Sequence, residues 1–241
     1  MQKLTPSTSP VSSRTPHIGR AGAFLTALTA IALTLTSAGS AEARPPEGGY
    51  IGIGFGYALV SGDRGAGLKL NPFSNVQPGG AAYEDIVRTD FGEGIAFELR
   101  FGWLFGPVAA EIGVVGHGTT DFKNGAGYPM LTVRFHPLML VDSLVDLPFD
   151  FNVFVGAGYA IGGYHHDTLN DDKGWEGWAF STGLGVSYDL SERVRIGLDL
   201  RFVLPQYSSF LVDWDDDIRA TPSKTPSTIV TIPSLQFAFS F

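Results

Sequence analysis

Three groups of residues in this chain have side chains that could do chemistry. The first is the run His165, His166 and Asp167, with Ser208 and Ser209 further along. Acyl transfer or hydrolysis needs a nucleophile, a base within hydrogen-bond reach and a third group that orients the base. The residue types are suitable, but nothing in their spacing requires them to meet. Two histidines are also too few for a zinc site. The second group is the acidic run Asp213-Trp214-Asp215-Asp216-Asp217. Carboxylates suit hard cations, yet the run lacks the glycine turn and terminal glutamate of an EF-hand loop. Loose bridging through divalent ions is the most it implies, so no catalytic, cofactor or metal site is expected. The third group consists of single charges set into apolar stretches: Glu98, Arg100, Glu111, Arg134, Arg195, Asp199 and Arg201. Their role depends on the elements that hold them.

Composition narrows those elements. The 241 residues include 31 glycines, 12% aromatics, only 17% charged residues and no cysteine. Disulfides and thiolate metal sites are excluded. The net charge of −8 argues against nucleic acid, whose phosphates need clustered Lys and Arg. The N-terminus has its own character. Residues 1–20 carry Lys3, Arg14 and Arg20 without an acid, Ala21–Ala41 is uncharged, and Ala41-Glu42-Ala43 offers small residues for cleavage. That order is the one expected of a secretory signal peptide over 1–43, leaving a mature domain over 44–241. An uncleaved helical anchor is the competing reading, but the second half of the uncharged stretch is rich in Thr, Ser and Gly.

The mature chain alternates with a period of two, the mark of strands. In the first segment Ile51, Ile53, Phe55, Tyr57 and Leu59 oppose Gly52, Gly54, Gly56 and Ala58. Seven further segments behave similarly, near 94–103, 107–118, 128–136, 151–160, 178–188, 194–202 and 228–241, with Phe154 breaking the pattern in the fifth. Each is long enough to cross a bilayer as a tilted strand, which takes about 9–11 residues. The connections alternate between long or medium (61–92 and 205–227 long, 162–177 medium) and short (104–107, 189–193). Residues 137–149 are too long and apolar for a plain turn. They predict a short helix at the membrane edge, or a hidden strand pair that would raise the count from eight to ten.

Side-chain volume indicates which face is outside. An eight-stranded barrel has an interior just wide enough for side chains to fill. The bulky set, from Phe55 through Phe97, Phe101, Trp103, Trp178 and Phe180 to Phe237, Phe239 and Phe241, does not fit there together with the aliphatics. The Gly, Ala and Ser face does. The large apolar face is therefore expected against lipid, with Tyr50, Tyr57, Trp103, Trp178, Tyr188 and Phe241 as interfacial girdles. Backbone groups at membrane depth must all be paired, so the sheet must close, last strand on first. The seven charges then point inward, where an unpaired charge is very costly. They predict a salt-bridge network across the lumen.

The end of the chain, Leu235-Gln236-Phe237-Ala238-Phe239-Ser240-Phe241, resembles the terminal signature of bacterial outer-membrane barrel proteins. The whole of 49–241 is similar in pattern to small eight-stranded barrels of the OmpA and OmpW types. A glycine often found upstream of the signature is absent. The resemblance implies an all-β, up-and-down transmembrane barrel in the outer membrane of a Gram-negative bacterium. It implies that Leu235, Phe237, Phe239 and Phe241 are read by the barrel-assembly machinery. Lipid and lipopolysaccharide are the other expected partners, and a surface ligand stays unnamed. The first functional expectation is a structural or surface-interaction barrel with a largely plugged polar lumen. A narrow channel for small or hydrophobic molecules is the alternative. A lipid-modifying enzyme using His165 and His166 comes last.

Overall fold

The computed structural model describes residues 48–63, 68–69, 92–120, 123–140, 149–166, 171–213, 218–222 and 227–241. Eight long strands among them form the barrel. They are β1 (Gly48–Asp63), β2 (Gly94–Phe105), β3 (Val108–Gly118), β4 (Asn124–Phe135), β5 (Phe149–His166), β6 (Asp171–Ser191), β7 (Val194–Asp213) and β8 (Ser227–Ser240). Each pairs antiparallel with the next in sequence, and β8 returns to pair with β1. Closure supplies every strand with two neighbours and removes the free edges that a bilayer does not tolerate.

Alternation sets the register, because a slip of one residue would turn the phenylalanines of the outer wall inward. Phe55, Phe97, Phe101, Trp103, Ile112 and Phe180 are exposed on the outer wall, and Phe239 and Phe241 continue it at the end of the chain. The final strand is stitched on both sides, Phe239 opposite Ile51 on β1 and opposite Val194 on β7. Phe241 donates its backbone N–H to the Gly49 carbonyl at 2.9 Å.

One end of the barrel is plain. Phe105 and Val108 face each other across the two-residue turn Gly106-Pro107, with Gly106 at φ +55°, the left-handed conformation that the first central position of such a hairpin needs. At the turn after β6, the Ser191 hydroxyl accepts hydrogen bonds from the N–H groups of Arg193 and Val194. Both chain ends of the barrel and both tight turns lie at this end, the arrangement expected of the periplasmic side of an outer-membrane barrel. Residues 137–149 hold a 3-10 turn, Pro137–Leu140, and 141–148 lie outside the described residues. β4 pairs directly with β5, so the barrel has eight strands and the ten-strand option falls.

At the other end the strands run further than alternation suggested. β5 and β6 stay paired up to His166 and Asp171, and β7 continues to Asp213. The stretches 162–177 and 205–213 read as loops because no lipid enforces an apolar outer face there, so the period of two fades although pairing continues. Short extended segments, Leu68–Lys69 and Ile218–Pro222, pair with each other, and the latter also with β7.

Candidate functional site

The interior is built in layers. Its middle layer collects the charges. Arg201 on β7 donates from Nη2 to Glu98 Oε1 on β2 at 2.7 Å. Gln236 on β8 donates to the other oxygen of Glu98 at 3.0 Å. Arg100 reaches Asp199 at 3.1 Å and Glu98 at 3.4 Å. Arg134 on β4 binds Glu111 at 3.0 Å, Asp199 at 3.0 Å and Asn152 at 2.5 Å. Tyr50 donates its hydroxyl to Glu111. Three guanidiniums thus meet three carboxylates, and all six residues are buried. The layer is neutral and hydrogen-bonded, the condition under which buried charge is tolerated. Phe154 adds a second mode of support, its ring lying 4.4 Å from Arg134 Cζ and 4.5 Å from Arg201 Cζ. Two cations share one π-system.

Outward of this lies an apolar layer. Tyr128, Trp175, Tyr207 and Phe210 are fully buried, packed with Val60, Val230 and Ile232. Trp175 stands 4.9 Å from Phe210 and 5.9 Å from Tyr207, centroid to centroid. His117 makes a 3.0 Å hydrogen bond with Tyr128 and stacks on it. Phe210 faces inward because β7 carries a bulge at Ser208: Gly177 pairs with Tyr207 while Glu176 pairs with Ser209. One extra residue flips the side-chain phase of everything beyond it.

Arg195 departs from its expected place. It lies six residues before Arg201 on β7, roughly 20 Å of strand, and so misses the middle layer. It binds Asp189 at 2.7 Å at the periplasmic mouth and approaches Asp150 at 3.7 Å. Asp150 also pairs with His136 at 2.5 Å. This rim cluster ties β4, β5, β6 and β7 together. Between rim and middle layer lies a cavity of about 40 Å³, lined by residues that include Tyr50, Leu104, Glu111, Ser187, Arg195 and Gln236.

Tyr50 corrects another expectation. It shares the parity of Gly52 and Gly54, points inward and belongs to no girdle. Tyr57, Trp103, Trp178 and Phe241 do stand on the exposed outer wall. Bulky side chains enter the interior where a neighbouring glycine makes room. A Cβ at Gly102 would overlap Tyr50, one at Gly183 would overlap Phe154, and one at Gly52 would come within 2.5 Å of Arg100. Sequence reasoning assigned the inner face to small residues and charges, and so missed Tyr50, Asn152, Phe154, Gln236 and the aromatic layer. Parity along each strand was the available signal.

The other candidates are scattered. The side chains of His165 and His166, and Asp167 entirely, lie outside the described residues, as do the Asp213 side chain and residues 214–217. Residues 1–47 lie outside them as well. No cluster of three metal-ligating side chains occurs among the described residues.

The family model described as outer membrane protein β-barrel domain matches residues 28–221. The chain belongs to that family. It is a protein of the bacterial outer membrane, and its exposed aromatic wall is the face that meets lipid. Among solved structures, Neisserial surface protein A is similar at a TM-score of 0.54 and 8% identity, over 80% of this chain and 97% of that one. The outer membrane protein OprG from Pseudomonas aeruginosa is similar at a TM-score of 0.49 and 14% identity, over 83% and 99% of the two chains. At 8% identity the likeness to Neisserial surface protein A concerns the fold. No curated protein matches this chain in sequence.

Proposed function

We propose that the protein is a sealed barrel that presents its outer-side connections at the cell surface and conducts no solute through its lumen. The observation that carries this reading is the pair of stacked layers. A neutral charge cluster and a packed aromatic cluster follow one another along the axis, and each is made by strands from opposite sides of the wall. Either alone would narrow the lumen. Together they close it to hydrated ions, because passage would break buried ion pairs and also open a dry contact.

The strand ends that lead into 64–93 and 214–226, at Asp63, Gly94, Asp213 and Ser227, lie at the outer rim. Lipopolysaccharide is the partner their position favours, with divalent cations bridging from the acidic run Asp213–Asp217. Leu235, Phe237, Phe239 and Phe241 serve as the signal for the barrel-assembly machinery. Solute uptake tests the sealed lumen. Proteoliposomes carrying the protein should swell no faster in small sugars or amino acids than empty vesicles. Swelling that scales with protein content would overturn the reading in favour of a narrow channel.

A further inference from the structure

One small device is built into the wall twice. Gly56-Tyr57 on β1 lies against Pro233 on β8, and Gly158-Tyr159 on β5 lies against Pro129 on β4. Each proline keeps its pair on the far side, Pro233 with Leu200 and Pro129 with Val114. On the near side, among the described residues, the ladder drops Tyr57–Pro233 and Ala58–Ile232 in one seam, and Pro129–Tyr159 and Tyr128–Ala160 in the other. Pairing resumes beyond both gaps, at Leu59–Thr231 and at Gly127–Ile161. The cause is chemical. Proline has no N–H to give a ladder, and a closed barrel has no free edge on which to place one. Paired residues of antiparallel strands exchange both their N–H and their C=O. The Pro233 carbonyl stands where a Cβ at Gly56 would intrude, and the Pro129 carbonyl where one at Gly158 would. The missing donors therefore belong to these two seams. Their height and position are matched as well. Ala58, Ile232, Tyr128 and Ala160, which point inward at the gaps, all belong to the apolar layer. The seams are opposite each other, with β1–β4 on one side and β5–β8 on the other. At the charge layer the same seams are continuous, through Gly54–Gln236 and Arg134–Phe154. The β7–β8 ladder also ends at Val203–Val230, short of Pro205, which loosens the neighbourhood of the first seam further. Both gaps reach the outer wall at an exposed tyrosine, the residue type of the interfacial girdle.

We propose that the two seams are a pair of hinges. About them the outer parts of β1–β4 and β5–β8 flex as two half-shells, so that the apolar layer loosens and tightens while the charge layer beneath it stays rigid. The device changes the outer mouth of the lumen and leaves the closure at the charge layer in place.

The chain has no cysteine, so pairs of spin labels can be attached at chosen sites. Ile95→Cys with Gln206→Cys spans the half-shells at hinge height, since Ile95 pairs with Tyr57, and Gln206 with Trp178 beside Tyr159. Phe101→Cys with Leu200→Cys uses the same two strands at the height of Arg100 and Arg201. Double electron–electron resonance in lipid bilayers is expected to give a distance distribution at least twice as broad for the upper pair as for the lower. Pro129→Val combined with Pro233→Val restores both donors and should narrow the upper distribution to the width of the lower. Equal widths at the two heights, or an upper width that the valines leave unchanged, would overturn the hinges. Hydrogen exchange in the unsubstituted protein gives a second readout that does not depend on the folding of the variants. The Tyr57 and Tyr159 amides should exchange at least tenfold faster than those of Ile53 and Val155 below them, and Tyr159 faster than Ile161, where the ladder has resumed. A steady rise toward the strand ends, with no maximum at the tyrosines, is ordinary fraying and would overturn the proposal.

Discussion

Arg201 Nη2 and Glu98 Oε1 meet at 2.7 Å although 103 residues of chain separate them. The contact spans from β7 to β2, over the heads of β8 and β1, so it forms only when the sheet has closed. Arg201 is 1% exposed, and water cannot replace a lost partner there. Removing one member of a buried pair typically costs about 3–5 kcal/mol. Arg201→Met and Glu98→Gln should each lower the unfolding free energy in bilayers by an amount of that order. The double variant should lose less than the sum. Additive losses in urea titrations would show that the two do not act as a pair.

Phe154 carries the second support of the charge layer. Desolvated cation–π contacts are worth about 2 kcal/mol or more, and here one ring serves two guanidiniums. Phe154→Leu keeps the apolar volume and removes the π-face, so it should destabilise by about 2 kcal/mol. Gly183→Ala should act on the same contact from the other side, since its new methyl group would stand 2.4 Å from the ring, although it would also stand 2.4 Å from the Leu200 carbonyl oxygen in the wall. Overpacking of this sort costs about 1–3 kcal/mol. In the background of Phe154→Leu the Gly183→Ala penalty should shrink. An unchanged penalty would mean that the glycine serves the wall and not the ring.

The outer wall has its own test. Leu131 lies near the middle of β4 and is 65% exposed on the outer face, whereas Trp103 stands near the periplasmic end of β2. An arginine costs about 2–4 kcal/mol at the bilayer midplane and about 0–1 near the interface. Leu131→Arg should therefore destabilise the folded protein well beyond Trp103→Arg. Equal effects in lipid-vesicle unfolding would place the wall differently with respect to the bilayer.

Much of this wall was legible in the chain, and the reason is physical. Lipid demands apolar groups on every second residue, so Phe97, Phe101 and Trp103 announce both strand and face. The lumen imposes no such uniform rule. Phe154 breaks the alternation of the fifth segment because the space opened for it by Gly183 lies on the next strand. Arg195 and Arg201 share a parity, which puts both inside. Parity says nothing about height, and height separates the rim cluster from the middle layer. The bulge at Ser208 was invisible for a related reason: it reverses the phase in a region where no outer apolar stripe records it.

Closure of the chain ends gives another expectation. A Cβ at Gly49 would stand 2.5 Å from the ring of Phe241, so the last residue folds against a glycine on β1. Gly49→Ala should push that ring outward and weaken the seam locally. The strand-closing pairs Ile51–Phe239 and Ile53–Phe237 should keep the barrel intact. Hydrogen exchange is expected to speed up at Phe241 and Gly49 and to stay slow at Ile53. Exchange that rises along the whole of β8 would show that the terminal contact holds the entire seam.

The sealed lumen is tested most directly by electrical recording. Folded protein inserted singly into a planar bilayer should show no steps above the baseline at moderate voltage, while Trp175→Ala combined with Tyr207→Ala, which opens the apolar layer, should at most flicker through the remaining charge layer. Stable, discrete openings by the unsubstituted protein would contradict the account.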